Sequence, residues 1–155
     1  MVGPFAKDFD KDFGPESTLD LKQTYADPMG NEQRWKTATS RADGLLELSP
    51  HFQPNRDCCA YAAAWVQSPK ARAAVVAVGS DDGSKAWFNG REILASNTAR
   101  GAVRGQDRAH VELKAGWNVV LLKVTQGDGG WGFYFDLLDP ATGLPIADLV
   151  YSPVP

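Results

Sequence analysis

The chain reads as an all-β protein, an antiparallel β-sandwich, on three observations. Short runs rich in β-branched and aromatic residues recur along its length, 15 glycines and 10 prolines punctuate them, and no capped helical pattern runs beyond about three turns. Nine or so short strands at hairpin spacing, with neither an internal repeat nor a linker, then favour two stacked sheets.

Taken in order, "VGPF" at Val2 reads as mid-strand, Phe5 to Gly30 as a long loop, and "RWKT" at Arg34 and "LLEL" at Leu45 as short strands. "AYAAAWVQ" from Ala60 and "ARAAVVAVGS" from Ala71 read as a pair around Ser68-Pro69, with alanines where a sheet or a ligand can come close. Two dipeptides, Asp82-Gly83 and Asn89-Gly90, carry the signature of two-residue hairpin turns, because Gly and Asn tolerate positive φ. From Arg108 to Lys114, Ala109, Val111 and Leu113 alternate with Arg108, His110, Glu112 and Lys114, the period of a strand with one wet face. After a turn at Ala115-Gly116, "WNVVLLKVTQ" is apolar on both faces over Val119 to Leu122 and belongs in the middle of a sheet. A turn at Gly127 to Gly130 leads to "WGFYFDLLD", which puts Trp131, Phe133, Phe135 and Leu137 on one side. These last three strands read as a meander.

A length of 155 residues with 43% apolar content fits one domain with an ordinary core. The formal charge of −3, from 16 basic and 19 acidic side chains without a basic stripe, leaves no excess to neutralise a phosphate backbone, so a nucleic-acid partner is not expected. No apolar run approaches the roughly 20 residues of a membrane span, so membrane insertion is not expected. The opening "MVGPFAKD" has no secretory leader, and its mid-strand character suggests a module taken from a larger protein. Cys58 and Cys59 are neighbours and are expected as free thiols on opposite faces of a strand start, the alternative being a vicinal redox pair or metal site.

Adjacent residues in extended chain point to opposite faces, so Asp81 and Asp82 cannot flank one glycosidic bond at the roughly 5–9.5 Å that its hydrolysis requires. They serve either as acceptors for backbone N–H groups at the turn or as ligands for calcium or a sugar hydroxyl. The spacing of Asp8, Asp10 and Asp12 begins like a calcium loop, but Gly14 falls one position late and Leu19 stands where a Glu is needed. An acidic surface loop and an irregular calcium site both stay open there. "QGDGGWGF" lacks the Lys-Ser/Thr of a phosphate loop and reads as a flexible hairpin, and His51 and His110 are too far apart in sequence to suggest zinc. Among Trp35, Trp65, Trp87, Trp117 and Trp131 most are expected in the core. Trp131, between Gly130 and Gly132, is the best candidate for an exposed ring on which a pyranose stacks. Asn89 and the polar connection from Asn97, with Arg100, Arg104, Gln106, Asp107 and Arg108, supply candidate hydrogen-bonding partners or a solvated face.

"GSDDGSKAWFNGREI" followed by "RGAVRGQDRAHVELKAGWNVVLLKVTQGDGGWGFYF" resembles the galactose-binding-like jelly-roll modules appended to secreted bacterial glycoside hydrolases and other exported proteins. "SDDG" and "WFNG" also resemble the protective-antigen-type β-sandwich, some of whose members hold sugars through adjacent aspartates and a calcium ion. The resemblance spans Ala60 to Asp139 well and the N-terminal portion more loosely. It implies a single jelly roll over residues 1–155, in an extracellular or periplasmic setting. Asp81 and Asp82 match the calcium- and sugar-holding aspartates, Asn89 is a further candidate, and Trp117 and Trp131 sit where core-packing tryptophans stand.

The function expected is that of a non-catalytic carbohydrate-binding or accessory module that tethers neighbouring domains to polysaccharide, with Trp131, Asp81, Asp82, Asn89, Arg100, Arg104 and Asp107 as the ligand site and calcium on Asp81 and Asp82. The alternative is a structural or protein-interaction sandwich in a larger assembly. An enzyme is not expected, because no nucleophile, acid–base pair or metal triad can be assembled from these residues.

Overall fold

In the computed structural model, which describes residues 1–154, the chain forms twelve strands and no helix. They are β1 (Val2–Ala6), β2 (Tyr25–Ala26), β3 (Glu32–Gln33), β4 (Leu46–Glu47), β5 (Cys58–Ser68), β6 (Arg72–Asp81), β7 (Ser84–Phe88), β8 (Arg91–Ser96), β9 (Asp107–Leu113), β10 (Gly116–Gln126), β11 (Gly132–Leu138) and β12 (Val150–Ser152). All pairings are antiparallel. The larger sheet runs β1-β5-β10-β7-β8, and β12 shares the β1 edge of β5. The smaller sheet runs β4-β11-β6-β9, and β2 pairs with β3 alone. No helix among the described residues is long and apolar enough to cross a membrane.

The two sheets face each other through one core. Ala60, Val66, Phe88, Val120, Leu122 and Val124 come from the larger sheet, and Val76, Val78, Val111, Leu113, Phe133 and Leu137 from the smaller. The alternation of β9 is as its sequence indicates, with Val111 and Leu113 buried and His110 and Glu112 exposed. β10 lies between β5 and β7, the central place that its two apolar faces require.

Three local pairings differ from the sequence reading. β9, β10 and β11 are not a meander: β9 pairs with β6, β10 with β5 and β7, and β11 with β4 and β6. β5 and β6 likewise lie in different sheets, and Asp82-Gly83 carries the chain from one sheet to the other rather than closing a hairpin. Alternation along a strand shows which side chains are buried but not which backbone they bond, so a crossing between sheets and a hairpin leave the same pattern. Asn89-Gly90 is the true two-residue hairpin, with φ of 50° and 80°, joining Phe88 to Arg91. The "RWKT" segment is not a strand; β3 ends at Gln33, just before it.

The outer face of the larger sheet is covered as well. Val2, Phe5, Tyr25, Cys59, Tyr61, Trp87 and Leu121 form a second apolar cluster, with Phe13, Leu19 and Trp35 packed on it, so the N-terminal segment is a third layer. At its centre Lys123 is 0% exposed. Its ammonium donates to Phe9 O (3.1 Å), Lys11 O (2.6 Å) and Glu16 Oε1 (3.0 Å), and lies 5.3 Å and 5.6 Å from the Phe13 and Tyr61 rings. The Tyr61 hydroxyl donates to the same Glu16 oxygen at 2.6 Å, and burial together with that bond holds the phenol protonated well above its usual range. Cys58 faces the inter-sheet core and Cys59 the second cluster, both as free thiols that burial pushes up to about 12.

Lys123→Ala leaves Glu16 buried without its cation and strips two carbonyls of a donor, so a loss of about 3–5 kcal/mol in denaturant unfolding is expected. Proteolysis of the variant should begin between Lys7 and Lys22, the part of the third layer that the ammonium holds down. Cleavage spread evenly over the chain would contradict this role.

Candidate functional site

The polar residues singled out in the sequence fall into three places. At one rim, Ser80 is fully buried and acts as a hub: its Oγ donates to Asp82 O (2.6 Å) and lies 3.0 Å from Ser84 Oγ, while its N–H donates to Gln106 Oε1 (3.1 Å). Arg100 donates to Ser80 Oγ (3.1 Å) and Ser80 O (3.3 Å) and forms a two-pronged ion pair with Asp107. Asp82 accepts the Arg100 N–H at Oδ1 (3.0 Å) and the Gly127 N–H at Oδ2 (2.7 Å). These bonds tie the end of β6, the 97–107 connection and the turn after β10 into one latch.

Asn89 stands at the other end of β7, a five-residue strand spanning about 17 Å. Its amide donates to Asn118 Oδ1 (2.9 Å) and accepts the Val119 N–H (2.9 Å), while Asn118, buried, bonds Lys114 through both its O and N atoms. The asparagines of "FNG" and "GWN" therefore recognise each other. Arg104 lies apart from both groups, where its Nη1 holds both oxygens of Asp136 (2.7 and 2.6 Å) and its guanidinium stacks 4.9 Å from the Tyr134 ring. The connection bearing it presses against β6 at Gly79, where a Cβ would stand 1.8 Å from Val103 O.

Trp131 corrects the expectation of an exposed ring. It is 3% exposed, packs against Phe52 with centroids 5.6 Å apart, and donates from Nε1 to Val124 O (3.4 Å). The glycines beside it serve close packing, since a Cβ on Gly132 would stand 2.8 Å from Leu46 O. Trp117, by contrast, is 44% exposed on the outer face of the larger sheet.

The Asp81 side chain makes no hydrogen bond or ion pair among the described residues, and burial followed by the charge of Asp82 raises its carboxyl above the usual range. Both Asp82 oxygens receive N–H donors, and no three His, Cys, Asp or Glu side chains converge among the described residues. The N-terminal aspartates make local turns: Asp8 accepts N–H bonds from Asp10 and Lys11, and Asp12 from Gly14, Glu16 and Ser17.

A trough opens between the sheets. On the outer edge of β5, β1 pairs over Cys58 to Tyr61 and β12 over Trp65 to Gln67, so Ala62 to Ala64 have no strand neighbour there. A hollow of about 700 Å³ opens at that gap. Its floor is Ala62, Ala64, Val120 and Leu122, its aromatic wall is Phe133, Phe135 and Tyr151, and Thr37, Thr39 and Ser40 face it from the segment joining β3 to β4. Tyr151 is 51% exposed. Lys36 N–H bonds Met1 O and Arg41 N–H bonds Leu45 O, but no backbone-to-backbone bond among the described residues engages Thr37 to Ser40. Asp136 is the one carboxylate in the lining, and Arg104 covers it. The alanines of β5 were the sequence signal for this site; Tyr151 and the threonines gave none, because they come from segments with no periodicity.

Comparison with protein-family models, with curated proteins and with solved structures found no match.

Asp82→Ala removes the acceptor for two backbone N–H groups and is expected to cost about 2 kcal/mol. Asp81→Asn should leave the melting temperature unchanged or raise it. Because the folded-state pKa of Asp81 is raised, its charge opposes folding above that pKa, and the opposition disappears as pH falls through it. Any advantage of the Asn variant should therefore shrink on acidification; melting curves from neutral to acid pH check both statements, and an advantage that grows would contradict the second.

Proposed function

We propose that the protein is a non-catalytic, galactose-binding-like jelly-roll module of an exported protein, that it tethers neighbouring domains to glycan, and that sugar sits in the inter-sheet trough rather than on the rim. One observation carries the reading: a concave site of about 700 Å³ is lined by Phe133, Phe135 and the half-exposed Tyr151 and by Thr37, Thr39 and Ser40, a segment whose backbone groups bond no other backbone among the described residues. A sugar ring has an apolar C–H face and a hydroxylated edge. Tyr151 and Phe135 suit the first, and Thr37, Thr39 and Ser40 suit the second. The lining supplies neither an acid facing a base nor a nucleophile beside one, which favours holding over bond-making. Weak affinity is sufficient for this task, since linkage to a second domain raises the effective concentration.

A second reading, a docking site for an extended segment of a neighbouring domain, is favoured by the unpaired edge at Ala62 to Ala64 and by apolar walls suited to alternate side chains.

Calorimetric titration against a panel of soluble polysaccharides tests the first reading. Saturable heat is expected from at least one, and Tyr151→Ala, at a half-exposed position, should weaken it about tenfold or more, equivalent to about 1.4 kcal/mol, with an unchanged fold. Flat traces throughout, or undiminished binding by the variant, would overturn it.

A further inference from the structure

Resting on the glycan reading, we propose that the trough selects uncharged sugars and turns away uronic-acid and amino sugars. Its lining side chains are methyl groups, rings and hydroxyls, such as those of Ala62, Ala64, Phe133, Phe135, Thr37 and Ser152. Asp136 is the one charged residue among them. Alternation along β11 turns it away from Phe133, Phe135 and Leu137, which pack toward the other sheet. On the face where it points, Arg104 Nη1 takes both of its oxygens at 2.7 and 2.6 Å, and Arg104 Nη2 donates to Asp43 O.

The cations that flank the Thr37 to Ser40 segment are engaged as well. Arg41 pairs with Asp43 (3.0 Å) and Glu47 (3.3 Å), and the Lys36 ammonium donates to His51 O and lies 4.4 Å from the Phe52 ring. Lys36, Arg41 and Arg104 thus balance Asp43, Glu47 and Asp136, and each already has a protein partner. A ligand carboxylate would give up hydration on entering and meet no free cation in return, and a ligand ammonium would meet no free carboxylate. An uncharged ring gives up only the hydration of its hydroxyls. The threonine and serine hydroxyls, with the unbonded backbone groups of Thr37 to Ser40, can replace that hydration bond for bond.

Calorimetry with tetrasaccharides matched in linkage and differing in charge tests this: glucose against glucuronic acid, mannose against mannuronic acid, and N-acetylglucosamine against glucosamine, all β-1,4-linked. Expected is binding by at least one neutral tetramer, unchanged by added salt, with its charged counterpart at least tenfold weaker. Thr39→Lys, at an exposed position in the lining, should narrow the gap for the acidic tetramer to a few-fold, and Thr39→Glu should do so for the glucosamine tetramer. A charged tetramer that binds the unaltered protein as tightly as its neutral counterpart, or more tightly, would overturn the selectivity and leave the glycan reading standing. A gap that neither Thr39 variant moves would overturn its assignment to the trough. No binding by any tetramer, neutral or charged, removes both readings.

Discussion

A strand that is apolar on both faces can persist only where both are covered, and β10 imposes that condition on the whole molecule. The smaller sheet covers one face through Val120, Leu122 and Val124. On the other, Leu121 and Lys123 need a layer that the sheets cannot supply, and the N-terminal segment provides it with two strands of only two residues each. So little regular structure cannot hold itself in place. Phe5, Phe13, Tyr25 and Tyr61 supply the area, with Phe5 stacked on Phe13 at 5.0 Å and edge-on to both tyrosines. Lys123 supplies the specificity. Burying an ammonium is costly, and three oxygen acceptors with two ring faces offset that cost in one arrangement of the segment.

The same economy explains why the most conspicuous motif is internal. A chain that crosses from sheet to sheet at nearly every connection exposes backbone groups at each crossing, and these need partners. Ser80, Asp82, Arg100, Gln106 and Asp107 are those partners at one rim, and Asn89 with Asn118 at the opposite end. The "SDDG" and "FNG" stretches stand on either side of β7, so one rim cannot hold both. Their residue types resemble a ligand site because turns and ligands ask for the same chemistry: short side chains with oxygen acceptors, and glycine where backbones approach.

The positions of strands, their buried faces and the central place of β10 could be read from the sequence, since each depends on a local period. The alternation of Val111 and Leu113 with His110 and Glu112 needs no knowledge of partners. Pairing could not be read, because Ala115-Gly116 is as suited to a crossing as to a hairpin, and only the rest of the fold decides. Trp131 was misleading for a related reason: flanking glycines suggest an open loop, but here they admit Leu46 and let the indole enter the core. The trough was nearly invisible. It requires Thr37, Ala62, Phe135 and Tyr151 to converge from four distant segments, and only the alanine run hinted that something comes close.

That run also explains why the trough stays open. β1 and β12 share one edge of β5 and leave three residues between their pairings, so the sandwich has a slot exactly where its side chains are smallest. Larger residues at Ala62 and Ala64 would fill the slot and gain dispersion contacts with Val120, Leu122 and Phe133, which now line a hollow. A folded domain of this size has little stability in reserve, and unfilled volume beside the core costs contacts that packing elsewhere must replace. Asp82, Asp107, Arg100 and the two asparagines at the rims are occupied with holding the chain, whereas Ala62 to Ala64 beside the slot have no strand neighbour on their outer edge. An occupant with apolar faces would make, against Val120, Leu122 and Phe133, the dispersion contacts that larger side chains at Ala62 and Ala64 would otherwise supply.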